Sequence, residues 1–180
     1  MTKIIFTLMF VLGCIGIISA QPGSKATARE KKELFRLIKE NDAQIKEAIS
    51  GDGDTAAALE AGMSVVKRDI NGDRRPEYFV EIYSGGLCGA LANCPDWVYQ
   101  KTGSEYRLLL RTFGRELKPE KTSTNKYLDL RSTGGDTAER DAFSIYKFSG
   151  DKYQAKSCFS RIFAVKGKKE KLIPIECREN

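Results

Sequence analysis

The spacing of apolar residues changes period once along this chain, close to Gly62. From Arg29 to Ser50, the residues Leu34, Leu37, Ile38, Ile45, Ala48 and Ile49 recur at three- and four-residue steps, with Lys and Glu between them. That is the apolar stripe of an amphipathic helix. Asn41-Asp42 interrupts it, which predicts either one bent helix or two short ones. Gly51-Asp52-Gly53-Asp54 stops the stripe with residues that tolerate left-handed backbone. The Ala-rich stretch Thr55 to Gly62 predicts another turn or two, so residues 29–62 read as helical.

Beyond Gly62 the period is two, and residues 63–180 read mainly as β-hairpins. Ser64-Val65-Val66-Lys67-Arg68 and Tyr78-Phe79-Val80-Glu81-Ile82-Tyr83 flank a polar loop. Trp97 to Gln100 and Tyr106 to Leu110 flank the turn Lys101 to Glu105, and Tyr127 to Arg131 predicts another short strand. Phe143 to Phe148, the turn Ser149 to Lys152, and Tyr153 to Cys158 repeat the aromatic-strand, glycine-turn, tyrosine-strand unit at an offset of 47 residues. Offsets of that size belong to stacked or radial β-units, although this chain has no room for a propeller of four-stranded blades. The expectation is therefore a single α+β domain, an N-terminal amphipathic helix packed on a mostly antiparallel β-meander, with Ser132 to Asp141 an exposed polar loop.

The N-terminus bears on compartment. Lys3, the apolar run Ile4 to Ile18, and the small residues before Gln21 form the pattern of a signal peptide over residues 1–20. Residues 21–28 read as a flexible leader before the domain at 29–180. Val11-Leu12-Gly13-Cys14 offers the alternative of a lipoprotein signal, with Cys14 acylated as a membrane anchor. Nothing else in the sequence is apolar for long enough to span a bilayer. A secreted or periplasmic location gives meaning to Cys88, Cys94, Cys158 and Cys177, an even set expected to pair as disulfides. Proximity favours Cys88–Cys94 and Cys158–Cys177.

Charge and composition mostly exclude. A net charge of +6, dispersed along the chain, makes no nucleic-acid footprint. The densest basic run, Lys166 to Lys171, reads as the solvated tip of a hairpin. With no histidine, the chain can build neither a Ser-His-Asp or Cys-His nucleophile nor a histidine zinc site. Carboxylate chemistry is the enzymatic route left, since glycoside hydrolysis needs two placed acids. Glu77, Glu81, Asp96, Asp129 and Asp141 are the candidates, with solubility and turn formation as their ordinary roles.

Asp69-Ile70-Asn71-Gly72-Asp73-Arg74-Arg75-Pro76-Glu77-Tyr78 resembles the calcium loop of FG-GAP and VCBS-type extracellular repeats. That resemblance implies side-chain ligands at Asp69, Asn71, Asp73 and Glu77, and a backbone carbonyl ligand at Arg75. Arg74 stands where the pattern has a glycine, and Arg74 and Arg75 add charge that repels a divalent ion. The expectation is a structural turn through Asn71-Gly72 and no cofactor, with Ca²⁺ as the alternative. Ser149-Gly150-Asp151-Lys152-Tyr153 is similar to the S-G-x-x-Y segment of small periplasmic lysozyme inhibitors. Trp97, Tyr99, Tyr106, Tyr146 and Tyr153 would anchor a protein or glycan interface if they face outward, and would be cross-strand core pairs otherwise. Together these features predict an exported, non-enzymatic module binding a protein or glycan of the cell envelope. The alternatives are a carboxylate-based glycan hydrolase and an inhibitor of a cell-wall enzyme.

Overall fold

A computed structural model describes residues 23–50, 53–89, 91–163 and 169–177. The expected signal segment and Cys14 lie outside the described residues, as do residues 166–168 of the expected basic tip.

The interruption at Asn41-Asp42 produces two helices. Helix α1 (Ala28–Asn41) opens on a capping box, with Thr27 and Glu30 satisfying each other's backbone N–H groups. Asp42 ends α1 and starts α2 (Ala43–Ile49). Its backbone N–H donates to the Ile38 carbonyl, while its carboxylate accepts from the N–H groups of Gln44 and Ile45. Helix α3 (Gly53–Gly62) follows and leads directly into the first long strand.

Two antiparallel five-stranded sheets stand where one meander was expected. The first runs in the order β1 (Ser24–Lys25), β2 (Met63–Arg68), β3 (Glu77–Ile82), β4 (Cys94–Thr102), β5 (Glu105–Gly114). The second places β6 (Glu116–Thr124), β7 (Tyr127–Thr137), β8 (Arg140–Ser149), β9 (Lys152–Ile162) and β10 (Lys171–Ile175) in sequential neighbourhood. The disulfides are Cys88–Cys94 and Cys158–Cys177, as proximity favoured.

Three local expectations are corrected. Residues 21–28 are not all leader, because Ser24 and Lys25 pair with Lys67 and Val66 along the edge of β2. Ser132 to Thr137 is strand, not polar loop: Ser132 is buried and donates to the Phe113 carbonyl. Gly134 and Gly135 let the Cys88–Cys94 loop dock on that strand, since an added Cβ would meet Asn93 at 2.9 Å and Leu91 at 2.8 Å. Asn93 clamps the contact, accepting from the Gly135 N–H at 2.7 Å and donating to its carbonyl at 2.8 Å. Strand β6 has no apolar alternation and was not predicted.

The 47-residue offset is structural. Val98 faces Leu110 and Tyr99 faces Leu108 across β4–β5, leaving Leu109 as a bulge. Ile145 faces Ser157 and Tyr146 faces Ala155 across β8–β9, leaving Lys156 as the equivalent bulge. The turn glycines Gly103 and Gly150 correspond too, with φ of 62° and 70°. Each sheet thus contains the same hairpin in the same register.

The first sheet is buried on both faces. Leu34, Phe35, Ile38, Ile45 and Leu59 of the helices share one core with Met63, Val65, Tyr78, Val80, Ile82, Trp97 and Tyr99. On the opposite face Phe79, Val98, Leu109 and Leu110 pack with Leu128, Leu130, Tyr146, Phe148 and Tyr153 of the second sheet. A polar knot ties the helices to the sheet: Asp42 accepts from Trp97 Nε1 at 3.1 Å and from Arg111 Nε at 2.5 Å. Burial works to raise the Asp42 pKa, but hydrogen bonds from Arg111 and the Ile45 N–H hold it below the ordinary value. Replacing Asp42 with alanine removes a helix cap and unpairs Arg111, which should cost about 2–3 kcal/mol. Urea unfolding of Asp42→Ala measures this, and a loss under about 0.5 kcal/mol would contradict the assignment of Asp42 as the tie.

Candidate functional site

The acidic loop joins β2 to β3 and satisfies itself. Asp69 accepts from the N–H groups of Asn71, Gly72 and Arg74, at 3.3, 2.8 and 2.9 Å. Asn71 Oδ1 accepts from the Asp73 N–H at 3.0 Å, and Asp73 Oδ1 from the Arg75 N–H at 2.7 Å. Gly72 has φ 77° and Arg74 φ 66°, so Arg74 adopts a left-handed backbone of the kind glycine usually supplies. Glu77 is fully buried and accepts from the Ile70 N–H at 3.1 Å and from Gln100 at 3.2 Å. Burial pushes its carboxyl up to about 7. Asn71 Nδ2 lies 3.3 Å from both Asp73 Oδ2 and Glu77 Oε1, so an amide donor bridges the two acids. Asp69, Asp73, Glu77 and the Arg75 carbonyl would be the calcium ligands, but Asn71 presents nitrogen toward that centre. The donor set fits a self-closed turn better than a calcium cage.

The aromatic residues do not form a surface. Trp97, Tyr99, Tyr146 and Tyr153 are buried, and Tyr106 is half-buried. The alternation that spaces them along strands directs Trp97 and Tyr99 to the helices and Tyr146 and Tyr153 into the inter-sheet core. Tyr153 also donates to the Leu128 carbonyl at 2.8 Å, which ties the S-G-x-x-Y turn inward.

Of the five candidate acids, three are internally satisfied. Glu77 belongs to the loop just described. Asp129 accepts from Thr122 and Thr124 at 2.8 and 2.7 Å, and Asp141 pairs with Arg115 and Arg161. Glu81 and Asp96 remain, and the register sets them directly opposite each other on β3 and β4. Side chains so placed have Cβ atoms about 4.5–5.5 Å apart.

These two acids belong to a polar row. Ser64, Glu81, Asp96 and Thr112 are successive cross-strand partners on β2, β3, β4 and β5, on the face turned toward the second sheet. Beneath them runs the apolar row Val66, Phe79, Val98 and Leu110. Thr112 is closed off by its hydrogen bond to the Tyr146 hydroxyl at 2.8 Å. Asp96 is not: its residue is only 6% exposed, and among the described residues no donor or cation pairs with its carboxyl. Burial pushes that carboxyl up to about 8, with Glu81 adding to the effect.

Asp96 and Glu81 line a cavity of about 210 Å³ together with Ser64, Val66, Arg68 and Phe79, and with Arg115 and Glu116 at the start of β6. It lies on the β2–β3 side of the inter-sheet face. Arg68 extends over the Phe79 ring, its guanidinium carbon 5.8 Å from the centroid. The sequence marks both acids but does not pair them, because their adjacency depends on the β3–β4 register across the eleven-residue connection 83–93 that carries the disulfide loop.

The chain matches no protein-family model, and comparison with curated proteins and with solved structures returned no match.

Because the Asp69 loop supplies its own donors, calcium should add little to stability. Melting curves of the protein in millimolar calcium and in chelator are expected to agree within about 1 °C. A clear calcium-dependent rise that Asp73→Ala removes would make the loop a metal site.

Proposed function

We propose that the protein is an exported binding module of the cell envelope, with its helices laid on the first sheet, and that it seats a cationic group of a small ligand against Asp96. The observation that carries this reading is Asp96 itself, a residue 6% exposed whose carboxyl opens into a cavity and lacks any protein partner among the described residues. A buried carboxylate without a donor is costly, and an ammonium or similar cation would supply what the fold does not. The second hairpin provides an internal comparison. At the positions equivalent to Asp96 and Thr112 it carries Phe143 and Phe159, stacked at 5.1 Å. The backbone therefore accepts apolar residues there, and the carboxyl needs another reason. The disulfides Cys88–Cys94 and Cys158–Cys177 support an oxidising compartment, and no described helix is long and apolar enough to cross a membrane. Cleavage after Ala20 would release the module, and acylation at Cys14 would tether it.

A second reading has one observation in its favour. Two facing acids, one held protonated by burial, are the starting arrangement for acid–base hydrolysis of a glycan. A cavity of about 210 Å³ is smaller than the roughly 300–1,000 Å³ of sites that enclose drug-sized ligands, so the binding reading is preferred.

Asp96→Asn separates a site from a structural residue. With its pKa raised from 3.8 to about 8, Asp96 keeps a proton in the folded state that the unfolded chain releases. It therefore lowers stability progressively between those two pH values, and the loss is complete above about pH 8. Asp96→Asn is expected to melt at least about 2 °C higher than wild type at pH 8, to match it near pH 3.5, and to lose binding of methylamine seen by NMR titration. A variant less stable at pH 8 would show that Asp96 serves the fold.

A further inference from the structure

We infer that the ligand of the inter-sheet cavity is an amino-acid-sized zwitterion, its ammonium held by Asp96 and Glu81 and its carboxylate by Arg68. This rests on the reading of Asp96 as a cation-binding group, and adds the second charge. Among the described residues Arg68 makes no ion pair; its guanidinium lies over the face of Phe79, which itself lines the cavity. Its register partner Glu77 is engaged with the Ile70 N–H and with Gln100. By contrast Arg115, the other guanidinium at the cavity, is paired with Asp141, and Glu116 with Lys118. Among the described residues, one acid pair and one guanidinium thus lack an ion-pair partner, and both border the same space.

Their spacing suits a short ligand. Glu81 and Phe79 are two residues apart on one face of β3, and Arg68 lies over Phe79, so the cation sits about one side-chain row from the acid pair. A row is about 7 Å, which the reach of an arginine shortens further. Between the two charges, Val66 and Phe79 offer an apolar floor for a small side chain or methylene. A guanidinium that meets a carboxylate does so through paired N–H donors, a geometry that a lysine could not reproduce.

The test compares alanine, glycine and lysine with methylamine and acetate by calorimetry on the mature chain at pH 8. At least one amino acid is expected to bind at least about tenfold more tightly than methylamine, and acetate not at all. Arg68→Gln should bring that amino acid down to the methylamine level while leaving methylamine unchanged, and Asp96→Asn should abolish both. Binding of ammonium compounds that ignores the carboxylate, and that Arg68→Gln leaves intact, overturns the zwitterion and spares the cation site. No binding by methylamine or any of the amino acids overturns both.

Discussion

Everything about this molecule follows from the first sheet being covered on both faces. Helices close one side through Leu34, Phe35 and Ile38, and the second sheet closes the other through Leu128, Leu130 and Tyr146. Strands β3 and β4 therefore have no solvent face on which to place polar residues. Any polar side chain on those strands must find a partner or bear the cost of desolvation. Glu77 finds the Ile70 N–H and Gln100, and Thr112 on the neighbouring β5 finds Tyr146. Asp96 finds none among the described residues, which is why it stands apart from every other buried acid.

Asp42 shows what the same fold does with a carboxylate that it needs. That group is 7% exposed, close to the 6% of Asp96, yet it receives Arg111, Trp97 and two backbone N–H groups. Its pKa is lowered where that of Asp96 is raised. The two residues are alike in surface exposure and differ in partners: Asp42 is ringed by donors and joins helix to sheet, whereas Asp96 has none among the described residues. The cost of a carboxyl left so is what a binding or catalytic group imposes on its scaffold.

Much of the architecture was legible in sequence because it is written in periodicity. The stripe from Leu34 to Ile49 gave the helical region, and the Asn41-Asp42 break became a shared cap. The runs at Tyr78, Trp97, Phe143 and Tyr153 became β3, β4, β8 and β9. Strand β6 and the end of β7 were not legible, since Lys118 to Thr124 and Ser132 to Thr137 are held by cross-strand partners and the docked Asn93, not by an apolar face. The aromatic residues were legible as strand markers only, because alternation does not say which of two covered faces a residue meets. Charge adjacency was least visible: Glu81 and Asp96 are separated by a disulfide loop, and Asp42 and Arg111 by most of the first sheet.

The state of the Asp96 carboxyl is directly measurable. Carbon-13 NMR titration of aspartate carboxyls in the protein, assigned by loss of one resonance in Asp96→Asn, reads its protonation without any ligand. The expected midpoint is about 8, moving down when an ammonium ligand is present. A midpoint near the ordinary aspartate value of about 3.9 would contradict it, showing that the carboxyl is solvated or paired and that the cavity holds no unmet charge.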